Sequence, residues 1–542
     1  MGQAAAFVDR DAQDVPYYVR NFLSLIHCVL DRYGDLLSAD EQQLIRRLDI
    51  LDPNARRLYV RLICRKGPVF RCDRLDYPEI DVRRALDRLS LEGLLERRPE
   101  LPLRDLLSML TVAELKALLA DLGASRLGRK LELVERLVEY ESEFPLACYL
   151  DWCTPLRQCE MELFQLLFFG NDEQSLTDFI LEEIGVVRHE SYRIDAAQRL
   201  FDDRCTVEEL RNLYRLGDES KAHIEQGENE ALGVVRDALW ESRTHPELER
   251  KRSRILNRIG HYFERRKAFD DALSAYARSG LPPARERRAR ILTKLADESG
   301  ALRLCEAILR DPHDEFEERF GAQFGARIRG EKRRRPQVVP LRRLWLAHPP
   351  MWPVEEVAVR QLENEGWCAH YVENHLPNAL FGLAFWDVIF HPLKGVFHHP
   401  FQFGPSDLFR PQFRAARATL VDERLREIEA GDVDRILCTY DAKHGIANAL
   451  VNWRRLERDV IERALECIPG THLCAIFDRL SRDLARNRSG FPDLLLLDPI
   501  SPQYKFVEVK GMGDRLQIHQ SRWMAHFIEH DIPAELLRIV WS

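Results

Sequence analysis

Asp493, Glu508 and Lys510 are the residues of this chain whose types and spacing could carry chemistry. Asp493 ends Gly490-Phe491-Pro492-Asp493 and stands at the mouth of an apolar strand, Leu494 to Leu497. Asp498-Pro499-Ile500-Ser501-Pro502 supplies a turn, and a second strand runs from Tyr504 to Val509. Alternation along it sets Phe506, Glu508 and Lys510 on one face and Val507 and Val509 on the other. Two hard carboxylates plus the Val509 carbonyl suit an octahedral Mg²⁺ or Mn²⁺ that keeps several waters. Such an ion acidifies a bound water and neutralises charge on a scissile phosphate, and Lys510 can hold the water and the phosphate as a cationic donor. Phosphodiester hydrolysis is the reaction this favours.

Pro492-Asp493 with Glu508-x-Lys510 resembles the core motif of PD-(D/E)xK nucleases. Gly513-Asp514-Arg515-Leu516 and Gln520-x-x-Trp523 resemble the virus-type replication-repair branch of that superfamily. That resemblance, and no geometry, implies that Gln520 contacts the attacking water or the scissile strand. Trp523 reads as core.

These residues must be positioned by a long chain. Its 542 residues allow three or four domains, each burying its own core. With 45% hydrophobic and 31% charged residues it reads as globular, and no apolar run reaches a membrane span. Met1 to Pro16 lacks a signal-peptide pattern, which predicts an intracellular location. The twelve cysteines include no CxxC pair; Cys148, Cys153 and Cys159 come nearest to a cluster, and buried reduced thiols are expected. A net charge of −8 argues against indiscriminate nucleic-acid binding but leaves room for local basic surfaces.

Residues 1–100 read as helical and winged-helix-like. There Arg57, Arg61, Arg65, Lys66 and Arg71 interleave with Tyr59 and Phe70, a pattern for gripping a duplex backbone or equally for a solvated face. Within 101–145, Thr111 and Glu114 form a capping box, Gly123 stops the helix, and Gly128-Arg129-Lys130 opens a second one. This helix-turn-helix resembles a SAP DNA-binding module, which implies that Lys116, Arg126, Arg129 and Lys130 face phosphate.

Residues 146–229 read as helical with little chemistry. Residues 230–335 look like tetratricopeptide-type pairs, because Leu256, Ile259, Gly260, Phe263, Ala272 and Tyr276 match that repeat in one copy. Arg327, Arg329, Lys332, Arg333, Arg334, Arg335, Arg342 and Arg343 then fall within 17 residues. Pro336 and Pro340 break that stretch, so it reads as a linker, either a phosphate-contacting hinge or a solvated loop.

The nuclease domain is placed at 349–542. Its passage from Tyr371 through the aromatic helix Asn378 to Phe390 to Phe397-His398-His399 is similar to one in the Fanconi-associated nuclease family. In that family a glutamate nine residues ahead of the glycine of the aromatic helix is a further metal-site carboxylate; here it is Glu373, nine before Gly382. With Asp493 and Glu508 that implies a site for two cations about 4 Å apart. Adjacent His398 and His399 in a strand would point to opposite sides, so packing or DNA contact is expected of them instead. Asp387 reads as a buried or capping carboxylate in need of a partner. Asp478-Arg479 and Arg482-Asp483 read as surface pairs, and Leu536 to Trp541 as the last strand, which closes the sheet.

The fold class expected is therefore multidomain: mainly α-helical N-terminal and middle regions ahead of a C-terminal α/β nuclease domain. The resemblance covers nearly the whole chain. It implies a metal-dependent, structure-selective DNA nuclease using Mg²⁺ or Mn²⁺, a 5′-flap endonuclease and 5′-to-3′ exonuclease that acts on branched or 5′-flap DNA in interstrand-crosslink repair. Alternatives are a Holliday-junction resolvase or replication nuclease of the same core, or a DNA-binding adaptor with an inactive nuclease fold. Eukaryotic members carry an N-terminal ubiquitin-binding zinc finger whose cysteine pattern is absent here. A bacterial, cytoplasmic and nucleoid-associated protein without ubiquitin binding is thus implied, nuclear only if eukaryotic.

Overall fold

The computed structural model describes residues 15–65, 67–140, 150–181, 187–331, 339–347 and 352–541. Lys66, Cys148, Pro349 and the Lys332 to Pro336 part of the basic stretch, with Arg333, Arg334 and Arg335, lie outside them. The chain forms two compact units, residues 1–186 and 187–542.

In the first unit the helices Tyr17–Tyr33, Ala39–Ile50, Pro53–Ile63 and Val82–Leu91 pack with a small sheet. Side chains with short acceptors set their starts: Ser38 makes a capping box with Glu41, and Asp52 and Asp81 each accept from first-turn amides. The sheet has strands β1 (Phe70–Arg71), β2 (Leu95–Arg97) and β3 (Trp152–Pro155) in the order β1-β3-β2, antiparallel throughout. The region expected to be purely helical from 146 thus supplies the central strand of the winged unit. Non-local pairing leaves no mark in local periodicity, so the sequence pattern alone does not reveal this strand.

Between β2 and β3 is inserted a small helical module, Leu103–Ser108, Val112–Asp121 and Lys130–Val138. The Thr111 and Glu114 box forms as expected. Leu115, Leu119, Leu133, Val134 and Leu137 build its core together with Trp152 of β3.

The second unit begins with a stack of helices: Arg204–Gln226, Asn229–Ala238, Pro246–Arg265, Phe269–Ala277, Ala284–Lys294, Glu298–Arg310 and Glu315–Ile328. A Cβ at Gly260 would lie 2.7 Å from the Tyr276 ring, so only glycine lets these two helices close. Glu317, 3% exposed, accepts from Nε and Nη2 of the Arg285 guanidinium at 2.8 and 2.5 Å. Further ion pairs bind this stack to the nuclease helices: Arg479 and Arg522 to Glu315, Arg486 to Asp314 at 2.8 Å, and Arg410 to Glu247.

The remainder is organised on five strands: β4 (Leu341–Leu346), β5 (Cys368–Tyr371), β6 (Leu494–Leu497), β7 (Tyr504–Lys510) and β8 (Ala534–Trp541). Their order is β4-β8-β7-β6-β5; β8 is parallel to β4 and β7, and β6 is antiparallel to β5 and β7. Two expectations are corrected here. The sheet begins ahead of residue 349, since Arg342 and Arg343 lie on β4 rather than in a linker, and β8 is an inner strand with β4 outside it.

Alternation divides the sheet. Leu494, Leu496, Val507 and Val509 face the helix Val354–Asn364, whereas Leu495, Leu497, Tyr504 and Phe506 join the aromatic core of the helix His375–Ala384. No strand forms around His398 and His399; both are buried in a turn against Tyr192, whose hydroxyl donates to the His399 carbonyl at 2.7 Å. Asp387 has its partner, an Arg424 fork at 3.0 Å, yet its side chain is 59% exposed rather than buried. Asp478 binds Arg414 at 2.5 Å and Arg482 at 2.6 Å, and Asp483 is buried as a helix cap, so the acids do not pair with the arginines adjacent to them in sequence.

Candidate active site

Three strand ends converge on Asp493. Leu494 pairs with Tyr371 on one side and Val507 on the other, so one step further the register sets Asp493 beside Val372 and opposite Glu508. The Asp493 carbonyl accepts from the amides of Val372 and Glu373 at 2.9 and 3.2 Å, and its Oδ2 accepts from the Val509 amide at 2.8 Å. Directly opposed antiparallel residues have Cβ atoms about 5 Å apart, which brings the two carboxylates onto one face of the sheet.

Both acids are buried, Asp493 at 7% and Glu508 at 0% exposure. Burial, the largest cause, pushes the Asp493 carboxyl up to about 6 against the pull of the Val509 amide and Lys510, with Glu355 and Glu373 adding repulsion. Burial likewise raises Glu508, to about 7, and the Asp493 charge adds to it. Lys510 Nζ lies 2.6 Å from Glu508 Oε1. Even so, both Glu508 oxygens are buried without an aligned hydrogen bond. A buried carboxylate pair with one lysine and spare lone pairs is short of positive charge and of donors. A hard divalent cation supplies the charge and takes up the spare lone pairs by coordination, so the donor set fits such ions.

Glu373 is exposed, accepts from the Tyr371 hydroxyl, and is held by Asn374, whose Nδ2 lies 3.3 Å from Glu373 Oε1. Asn374 also accepts, through Oδ1, from the Phe491 amide at 3.1 Å, tying Glu373 to the loop that carries Asp493. It sits at φ +49°, a region where asparagine is enriched. Sequence reasoning passed over Tyr371, Asn374 and Glu355. Tyr371 stands two residues before Glu373 along an extended segment, a spacing that could have found it.

The helix Ile518–Glu529 buttresses the Asp493 loop. Trp523, fully buried, stacks on Phe491 at 3.9 Å and donates Nε1 to the carbonyls of Asn487 and Ser489. Gly490, at φ +92°, is pressed against the first turn of this helix: a Cβ there would come within 2.7 Å of His519 backbone. Gln520 Oε1 accepts from the Gln517 amide at 3.0 Å, so it serves as the helix's own cap. That capping bond was not expected from the motif.

The basic residues separate into two groups. Arg61 is paired with Glu79 at 2.5 Å and sandwiched by Tyr18 and Tyr77, and Arg71 is shared between Asp73 and Glu114 at 2.6 and 2.8 Å. Arg57 donates to the Glu79 carbonyl, and Arg65 to the Tyr77 hydroxyl. Lys116, Arg126, Arg129 and Lys130 are all exposed on the inserted module, Lys130 with one bond to the Ser108 carbonyl.

Comparison with known proteins agrees with this layout. Family models match for a VRR-NUC domain at residues 429–541, for the "FAN1, HTH domain" at 16–96, and for a SAP domain at 106–142. The chain is 34% identical to a Fanconi-associated nuclease 1 homolog of Pseudomonas aeruginosa, across 97% of this chain and 96% of the relative. It is 24% identical to Fanconi-associated nuclease 1 of Homo sapiens, across 97% of this chain and 62% of the human protein. Among solved structures, paFAN1 bound to 5′-flap DNA with a gap and a 2-nt flap superposes with a TM-score of 0.83 at 32% identity, covering 97% and 98% of the two chains.

Proposed function

Because the chain belongs to the Fanconi-associated nuclease family, and is thereby a structure-selective, divalent-metal-dependent DNA nuclease, we propose that it cuts near 5′ flaps and trims 5′-to-3′ in interstrand-crosslink repair. Asp493, Glu508, Glu373 and the Val509 carbonyl would hold the cations, two of them, Mg²⁺ or Mn²⁺. When bound, such ions acidify a coordinated water and offset the charge of the scissile phosphate. The observation that carries this reading is the Asp493 and Glu508 pair, buried face to face with one lysine for company.

The chain's own residues do the rest. The Val509 amide fixes one Asp493 oxygen and leaves the other open. Lys510, partly buried beside Glu508, is placed to donate to the attacking water or a phosphate oxygen. Asn374 and Trp523 hold the strand ends still, so the acids need not reorganise as the reaction proceeds. Gln520 would reach the water or scissile strand through its amide nitrogen, since its oxygen is committed to the cap. Lys116, Arg126, Arg129 and Lys130, with Arg333, Arg334 and Arg335, would orient the duplex through phosphate contacts that carry no sequence information. A cytoplasmic, nucleoid-associated location accompanies this role.

The test is a panel of 5′-flap, fork, four-way-junction and plain duplex DNA with Mg²⁺ or Mn²⁺. Preferred cutting of the 5′ flap, abolished by Glu508→Gln, is expected. Preferred cutting of the four-way junction would reassign the substrate, and unaltered cutting by the variant would remove the site.

A further inference from the structure

At the far end of the helix that carries Gln520 and Trp523, His526, Glu529 and His530 each bring one donor atom to within 4.8 Å of the other two. Positions three and four apart share one helix face, and the two imidazole centroids are 4.4 Å apart. His526 is buried, while Glu529 and His530 are exposed, so the group opens to solvent on one side.

The tautomer of His526 is fixed by its surroundings. Its Nε2 lies 3.0 Å from the Ala475 carbonyl oxygen, which can only accept; Nε2 therefore carries the hydrogen and Nδ1 keeps a bare lone pair. A neutral imidazole anchored through its second nitrogen to a backbone carbonyl is the arrangement found in metal-bound histidines.

Location adds to this. Glu529 is the last residue of the helix and His530 its C-cap, where unsatisfied carbonyls concentrate the negative end of the helix dipole and favour a cation. The nearby guanidiniums are engaged by carboxylates, Arg479 by Glu315 at 3.1 Å and Arg482 by Asp478 at 2.6 Å, although Glu315 also serves Arg522 and Asp478 also serves Arg414.

We propose that His526, Glu529 and His530 form a Zn²⁺ site, separate from the catalytic carboxylates, with the fourth position left to water. Two imidazoles and one carboxylate are a zinc donor set, and they discriminate against Mg²⁺, which prefers oxygen. The ion would clamp the last turn of the helix whose first turns buttress the Asp493 loop.

The experiment uses the full chain, stripped with a chelator and held in excess Mg²⁺, with Zn²⁺ competed from a chromophoric chelator. One tight Zn²⁺ equivalent is expected in the wild type and in Glu508→Gln, with affinity at least about tenfold lower in His530→Ala and Glu529→Gln. His526 is buried, so these two exposed positions carry the test. Equal binding by wild type and His530→Ala overturns the proposal. Zn²⁺ lost in Glu508→Gln instead also overturns it, because the ion then occupies the catalytic acids. Zinc-edge anomalous density at the three side chains is the matching crystallographic result.

Discussion

Glu317 and Glu508 are both closed off from solvent, one in the first turn of a repeat helix and the other on the middle strand of the sheet, and their surroundings treat them in opposite ways. Burial pushes Glu317 up, yet hydrogen bonds from His313 and the Arg285 fork outweigh it and hold the carboxyl at about 2. Glu508 receives a single ammonium and an acidic neighbour, and ends near 7. The first is a finished ion pair. The second is an unfinished one, and in a nuclease the missing charge has to come from outside the chain.

If that contrast holds, charge-neutral exchanges at the two sites should have opposite effects. Glu508→Gln or Asp493→Asn should lower single-turnover cleavage by about a thousandfold or more, while flap binding by fluorescence anisotropy persists. Binding that collapses together with cleavage would make these acids structural.

Arg285→Met tests the other side. It leaves the buried Glu317 with only its His313 contacts and should cost about 3 kcal/mol in chemical unfolding, with cleavage per folded molecule unchanged. A loss below about 1 kcal/mol would mean that the pair was never needed.

A third measurement follows protons. The folded pKa values of Asp493 and Glu508, about 6 and about 7, lie above the ordinary carboxylate range, so the folded chain keeps these protons to higher pH than the unfolded one. The destabilising contribution is absent below the unfolded pKa and builds as pH rises through the folded values. Metal-free protein should therefore lose stability from these groups between about pH 4, the ordinary carboxylate range, and about pH 7, above which the loss is complete. Glu508→Gln should flatten that slope. Mn²⁺ affinity, measured by calorimetry, should fall up to about tenfold per proton for each unit of pH below 6.

The smallest effects belong to the exposed cations. Replacing Lys116, Arg129 and Lys130 by alanine should leave the thermal midpoint nearly unchanged and weaken all duplexes alike. It should also reduce the salt slope of binding by about one for each phosphate that is no longer neutralised. Discrimination between flap and duplex that changes while the salt slope does not would assign them a selective role.

What could be read from the sequence was what local chemistry fixes. The Asp498 turn, strand alternation around Glu508, the Thr111 cap and the Gly260 and Tyr276 contact depend on neighbours within a few residues or one helical pair. The β4 and β8 pairing joins Leu341 to Leu536, and β3 returns to β2 across an inserted module; no periodic pattern records such partners. Basic side chains stay ambiguous for the same reason. Arg61 and Arg71 read like phosphate contacts until Glu79 and Glu114, distant in sequence, take them.

The module inserted between β2 and β3 is attached to neighbouring antiparallel strands by both of its ends. Two anchors give it a far smaller volume to explore than one tether of equal length would allow. For any duplex touched by both the module and its host, the second contact is made at a high effective concentration, so weak phosphate contacts multiply into avidity without a new specific bond.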